Sequence, residues 1–246
     1  PILSFGAWFP EAQGLLRRAP AEVVPAFVAA DAASPQAPRT LVLREDRDGG
    51  IRYSLVNGAG PVLGDADVEA PASAWRALDP LVAALASGRG GDEVEQLAQY
   101  GVRYVLLAAG TSERLVPVLD GEPGLRRLST SEGQVLWSIA GVTSRARQVT
   151  VRAETSLGIA QPATVATDPY LDQRLPDYAA ARQVIVGALA DPGWRAGVVE
   201  QDAVVAMLPS VTGVGTMSWS QAFAVPPGAP QVRVWFDSQA RTAWLW

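Results

Sequence analysis

The chain has 246 residues, enough for one large domain or two modest ones, each able to bury a core. Apolar residues make up 48% and charged residues 18%, a globular composition, and a net charge of −5 argues against a nucleic-acid partner. The sequence contains no Cys and no His, and all 20 basic residues are Arg, which excludes disulfides, thiolate nucleophiles, His-dependent triads and metal sites, Schiff bases and a Walker lysine.

Residues 1–38 are rich in Ala and Pro, and "EAQGLLRRAP" and "EVVPAFVAADAA" predict short helices interrupted by Pro20 and Pro25. A strand follows over Thr40 to Arg44, then the turn "DRDGG" and a second strand in "IRYSLVNG". "APASAWRALDPLVAALASG" has helical spacing, broken by Pro80 and ending on Gly88. "DEVEQLAQYG" reads as an amphipathic helix with acids at its start and Gly101 at its end. "VRYVLLAA" is a nearly continuous apolar run, the pattern of a strand buried on both faces. "SERLVPVLDGEPG" predicts a short helix, and "LRRLSTSEGQVLWSIAG" a hairpin turning at Glu132-Gly133.

After Gly141 the texture changes. "ARQVTVRAETS" alternates strictly, with Val149, Val151 and Ala153 on one face and Arg152 and Glu154 on the other. "ARQVIVGALA", "WRAGVV", "AVVAMLPS", "SWSQAFAV" and "QVRVWFDS" follow as short strand-like runs between Pro and Gly turns, with a helix only around "PDYAAAR". The expected fold is therefore α+β: a helical or irregular lead-in over 1–38, an α/β layer over 39–142, and an antiparallel, jelly-roll-like β-sandwich over 143–246. No 18-residue apolar run is present.

Several short patterns bear on chemistry. Gly58, Gly60 and Gly64 follow a strand, but Pro61 and "DADVEAPAS" make a poor helix start, so a plain glycine turn is expected rather than a dinucleotide site. Asp46/Asp48 and Asp65/Asp67 each have the Asp-x-Asp form that can share a hard cation, and both pairs sit where turns favour Asp anyway. No carboxylate pair stands in an apolar setting that would raise a pKa. No catalytic residue, metal ligand or cofactor is assigned. There are eight Trp, at 8, 75, 137, 194, 219, 235, 244 and 246. Trp194 and Trp219 flank Gly-rich turns, so an exposed aromatic surface that stacks on sugar is one reading and core filling the other. Trp194, Arg195, Trp219 and Gln221 are the candidate ligand-binding residues.

The motifs "GVRYVLL", "LWSIAG", "DPGWRAGV", "WSQAFAVPPG" and "RTAWLW", in this order, carry a resemblance spanning residues 39–246. The chain resembles the extracytoplasmic C-terminal region of large actinobacterial membrane proteins classed as family 2 glycosyltransferases. It is more loosely similar to outer domains of other multi-spanning bacterial glycosyltransferases, where a "PGW-x-A-x-V-D-G" turn precedes a strand ending in "LPAG". Here "PGWRAGVVEQ" and "VPPG" correspond, with Glu200-Gln201-Asp202 in place of the Asp-Gly hairpin. These motifs are structural, so no catalytic residue is carried over.

The resemblance implies a soluble module on the outer face of the cell membrane, non-catalytic in isolation, that binds a cell-envelope polysaccharide or positions an acceptor and meets the membrane part of its own parent chain. It also implies that "PILSFGAWF" leaves one membrane helix and that "RTAWLW" enters another, with both ends on one side of the fold. The alternatives are a free-standing carbohydrate-active enzyme using a carboxylate pair and a protein–protein scaffold.

Overall fold

The computed structural model describes residues 24–34, 36–46, 48–58, 76, 78–89, 91–99, 101–111, 113–131, 133–141, 146–149, 154–157, 171–175, 181–212 and 220–237. Within them the chain is mixed α/β, with several sheets whose strand pairs are antiparallel in all but one case.

The N-terminal sheet contains β1 (Arg39–Glu45), β2 (Ile51–Asn57), β3 (Val102–Leu107), β4 (Leu125–Ser131) and β5 (Gln134–Ile139), in the order β2-β1-β3-β5-β4. Strands β1 and β3 run parallel. The expected turn between β1 and β2 is closed by the Asp46 N–H donating to Gly50 O at 2.7 Å. The hairpin β4–β5 has Ser131 opposite Gln134, and Gly133 takes φ 75°, a conformation that favours glycine.

Alternation along the strands sends side chains to two cores. Leu41, Leu43, Val105, Leu107 and Trp137 enter one, and Val42, Leu106 and Leu136 the other. Helices α2 (Asp79–Ser87), α3 (Glu93–Gln99) and α4 (Leu115–Asp120) cover the first face with Val82, Leu85, Val94, Leu97 and Leu119. Helix α1 (Ala26–Ala32) covers the second with Val28. Cover on both faces is why β3 needs an almost unbroken apolar sequence.

Pro80 starts a helix instead of breaking one. It lies in the first turn of α2, where its missing N–H has no intrahelical partner to lose. The helix stops at Gly88, whose left-handed φ of 62° lets its N–H reach back to Leu85 O.

In the C-terminal part, the single strand expected in "ARQVTVRAETS" is two: β6 (Ala146–Val149) and β7 (Glu154–Leu157), paired antiparallel with Val149 opposite Glu154. Strict alternation marks extended chain but does not mark where it reverses. Residues 176–180, where most of the helix expected around "PDYAAAR" would lie, are outside the described residues, and Arg182 belongs to a strand.

Two sheets are present here. One holds β8 (Leu171–Arg174), β10 (Trp194–Glu200), β11 (Ala203–Met207) and β14 (Gln231–Phe236), in the order β11-β10-β14-β8. The other holds β6, β7, β9 (Arg182–Leu189), β12 (Ser210–Thr212) and β13 (Ser220–Val225), in the order β12-β13-β9-β6-β7. The short strands β8 and β12 have no sequence signal of their own.

A single core draws Trp194, Ala196, Val198, Val232 and Val234 from the first of these sheets and Val184, Val186, Phe223 and Val225 from the second. Ile185 and Ala222, at the alternate positions of β9 and β13, join the core of the N-terminal sheet instead. Arg39, fully buried, donates from its guanidinium to Gly187 O, so β1 is also bonded to β9. Among the described residues no helix is long and apolar enough to cross a membrane. Both chain ends, on which the membrane expectation rests, lie outside the described residues.

Candidate functional site

"DPGW" forms the corner that leads from β9 into β10. The Asp191 side chain accepts a hydrogen bond from Gly193 N–H at 2.7 Å, and its carbonyl accepts one from Trp194 N–H at 3.1 Å. These bonds turn the chain within three residues. Gly193 O in turn accepts from Asp237 N–H, tying the corner to the end of β14. A side chain at position 193 would lie 2.8 Å from the Phe236 ring, so glycine is required here by close approach.

The corner corrects the stacking reading of Trp194. Its indole is 4% exposed and packs edge-on against Phe236 at 5.2 Å, so no face is open to a sugar ring. Gln221 is buried too, donating to Ser210 Oγ at 2.8 Å and accepting from Asp191 N–H at 3.4 Å. It joins the corner to β12. Arg195, partly exposed, turns its guanidinium back onto Pro192 O and Trp194 O. Three of the four candidate residues thus meet, but as a structural joint. Trp219 lies outside the described residues.

The Asp-x-Asp patterns receive no support as cation sites. Asp46 is ion-paired with Arg52 at 2.6 Å, Asp65 and Asp67 lie outside the described residues, and no group of three metal-ligating side chains occurs among the described residues. On the outer side of the four-stranded sheet, Arg233 is held by Asp172 at 2.5 Å and Asp202 at 2.8 Å, with Gln231 donating to Asp172. Carboxylate neighbours raise the Arg233 pKa further and leave this cluster satisfied from within.

One carboxylate pair does stand in an apolar setting, contrary to expectation. Glu122 is 4% exposed, and its pKa is raised, first by burial and then by the charge of Glu93. Neither residue is in the lining of the cleft beside α4.

Among the described residues, a cleft of about 330 Å³ opens between α4 and the β4–β5 hairpin, at the end of β3. Thr111, Glu113, Val116 and Pro117 come from the segment entering α4 and from its first turn; Arg127 and Thr130 come from β4; Leu107, Gly133 and Val135 complete it. Its cation is already matched. Arg127 Nε donates to Asp120 Oδ1 at 2.9 Å and its terminal nitrogen to Oδ2. Trp137, fully buried, donates its indole N–H to the same carboxylate at 2.9 Å and lies 5.8 Å from the Arg127 guanidinium. Arg114, beside the rim, is ion-paired with Glu45 at 2.9 Å and donates to Gly49 O. No described cation pairs with Glu113. The cleft thus combines two hydroxyls and one exposed carboxylate with an aliphatic wall, and no group in it is a strong nucleophile.

No family model, curated protein or solved structure matches this chain.

None of the cleft residues stands out in the sequence. Thr, Glu and Arg in loops and on a strand face are ordinary surface composition. The nearest signals are Gly110 and Gly133, both with positive φ, which mark the two turns that bring its walls together.

Proposed function

We propose that this chain is the outer-face module of a membrane-embedded cell-envelope glycosyltransferase, inactive in isolation, that holds a glycan and so positions the acceptor. In this reading the two C-terminal sheets are the layers of a sandwich, the "DPGW" corner is its edge joint, and the membrane part of the parent chain is the neighbour. The resemblance in the strand and corner motifs supports the family, and the shared core of the two sheets supports the sandwich.

The cleft beside α4 is the observation that carries the functional part. Hydroxyl and carboxylate groups next to aliphatic surface suit a ligand with polar edges and a C–H face. The chain has no His, Cys or Lys, so the cleft is suited to holding a ligand more than to converting it.

Purified chain applied to immobilised cell-envelope polysaccharides, in parallel with a nucleotide-sugar turnover assay, tests this. Binding without turnover is expected. Absence of binding, or turnover abolished by a point substitution within the chain, would overturn it.

A further inference from the structure

The charges around the cleft restrict what it can take. Arg127 is the guanidinium in its lining, and Asp120 already occupies it through two parallel hydrogen bonds. Arg114 is turned away to Glu45 and Gly49. Glu113 lines the cleft as an exposed carboxylate with which no described cation forms an ion pair. An anionic ligand would meet a like charge and find no free guanidinium, on a chain of net charge −5.

A cation would find Glu113 alone, with two hydroxyls and no second carboxylate in the lining. A neutral polyhydroxylated ring fits better. Its hydroxyls can donate to Glu113 and exchange hydrogen bonds with Thr111 and Thr130, while its C–H face lies on Val116, Pro117 and Val135. The volume lies in the range of small-molecule sites.

We propose that the cleft between α4 and the β4–β5 hairpin is a binding site for a neutral saccharide and rejects acidic ones, a specificity that rests on the glycan-binding reading above. Glu113 sets the charge selection, and Thr111 and Thr130 set the hydroxyl recognition.

Calorimetric titration of the whole chain with mannotetraose, cellotetraose and maltotetraose as neutral probes and tetragalacturonate as the acidic one tests the proposal. At least one neutral probe should bind, with little dependence on salt, and the acidic probe should not. Thr130→Val should weaken the neutral probe by about tenfold, the loss of one buried hydrogen bond on binding. Glu113→Gln should bring tetragalacturonate into measurable binding. Both side chains are exposed in the free protein, so both variants should keep the wild-type urea midpoint, which separates a lost contact from a lost fold.

Tight binding of tetragalacturonate by the wild type would overturn the specificity. Neutral binding untouched by both Thr130→Val and Thr111→Val would place the glycan elsewhere on the molecule. Either result leaves the glycan-binding reading standing. Failure of every tetrasaccharide and of the envelope polysaccharides would overturn both.

Discussion

Glu122 holds a carboxyl that burial makes hard to ionise, and the neighbouring charge of Glu93 makes it harder. Its pKa in the folded chain therefore lies above the unfolded value. Such an acid binds protons more readily when folded, so its contribution is most favourable below the unfolded pKa and is lost as pH rises through the folded one. Glu122→Gln should accordingly raise the urea midpoint near neutral pH, with the gain shrinking as pH falls toward about 4. An equal gain at both pH values would show that ionisation is not the cause. Trp194 follows a glycine turn, a position suited to display, yet it fills the end of a core beside Phe236. Trp194→Ala should cost about 3–5 kcal/mol of unfolding free energy, measured by urea denaturation, because it removes a large buried ring and leaves a cavity. A loss under about 1 kcal/mol would return the residue to the surface.

At the scale of elements, short helices are held by side chains more than by their own propensity. Helix α1 has seven residues and no side-chain cap, but its Asp31 accepts from Arg103 at 2.9 Å and from the Tyr104 hydroxyl at 2.8 Å. This clamps it to β3. The Tyr104 pKa is pushed up to about 12, by burial first and then by its hydrogen bond to Asp31. Asp31→Ala should bring the phenol part of the way back toward its ordinary value, read as absorbance on alkaline titration, since burial remains. Helix α2 ends on Gly88, where a side chain would be strained by the positive φ and would press within 3.0 Å of Val118. Gly88→Ala should cost about 1 kcal/mol in the same denaturation experiment. Strand β11 is the contrasting case: all five of its residues are exposed, with Val205 and Met207 more than half so. It contributes pairing to β10 and little burial.

At the scale of the whole molecule, the joint between the N-terminal sheet and the C-terminal strands is a packed one. Ile185 and Ala222 belong to the first core, and Arg39 places a fully buried guanidinium against Gly187 O. Moving that charge out of water is costly unless its donors are satisfied, so the groups around it depend on it. Arg39→Met keeps an apolar stem of similar reach and removes the donors. It should destabilise the chain by about 2–4 kcal/mol, through an unpaired buried carbonyl and the lost tie between β1 and β9. Wild-type unfolding followed by Trp fluorescence and by far-ultraviolet circular dichroism should give coincident transitions, as expected for parts that share a core. In Arg39→Met the two curves should separate if Arg39 is what couples them; coincident curves with an unchanged midpoint would remove it from that role.

Local chemistry determined much of this chain from the sequence alone. Alternating and continuous apolar runs marked β1 to β5, β9 to β11, β13 and β14, because side-chain direction in a strand has a period of two whatever the strand packs against. Turn residues marked the C-terminal end of α2 at Gly88 and the hairpin at Gly133, because a positive φ is a property of the residue itself. The missing His, Cys and Lys excluded whole classes of chemistry before any fold was known. Burial and approach between distant segments were decided only by the tertiary structure. Trp194 is a core residue because Phe236 arrives from β14, 42 positions along the chain by the numbering of the two residues. Glu122 is hard to ionise because packing buries it and, second, because α3 brings the charge of Glu93 near it. The reversal between β6 and β7 and the pairing of the short strands β8 and β12 depend on partners that no local pattern names. The cleft likewise exists because α4 and the β4–β5 hairpin diverge at the end of β3, bringing together Thr111, Glu113, Arg127 and Thr130. A surface residue becomes part of a site through its neighbours in space, and those neighbours are set by how the elements pack.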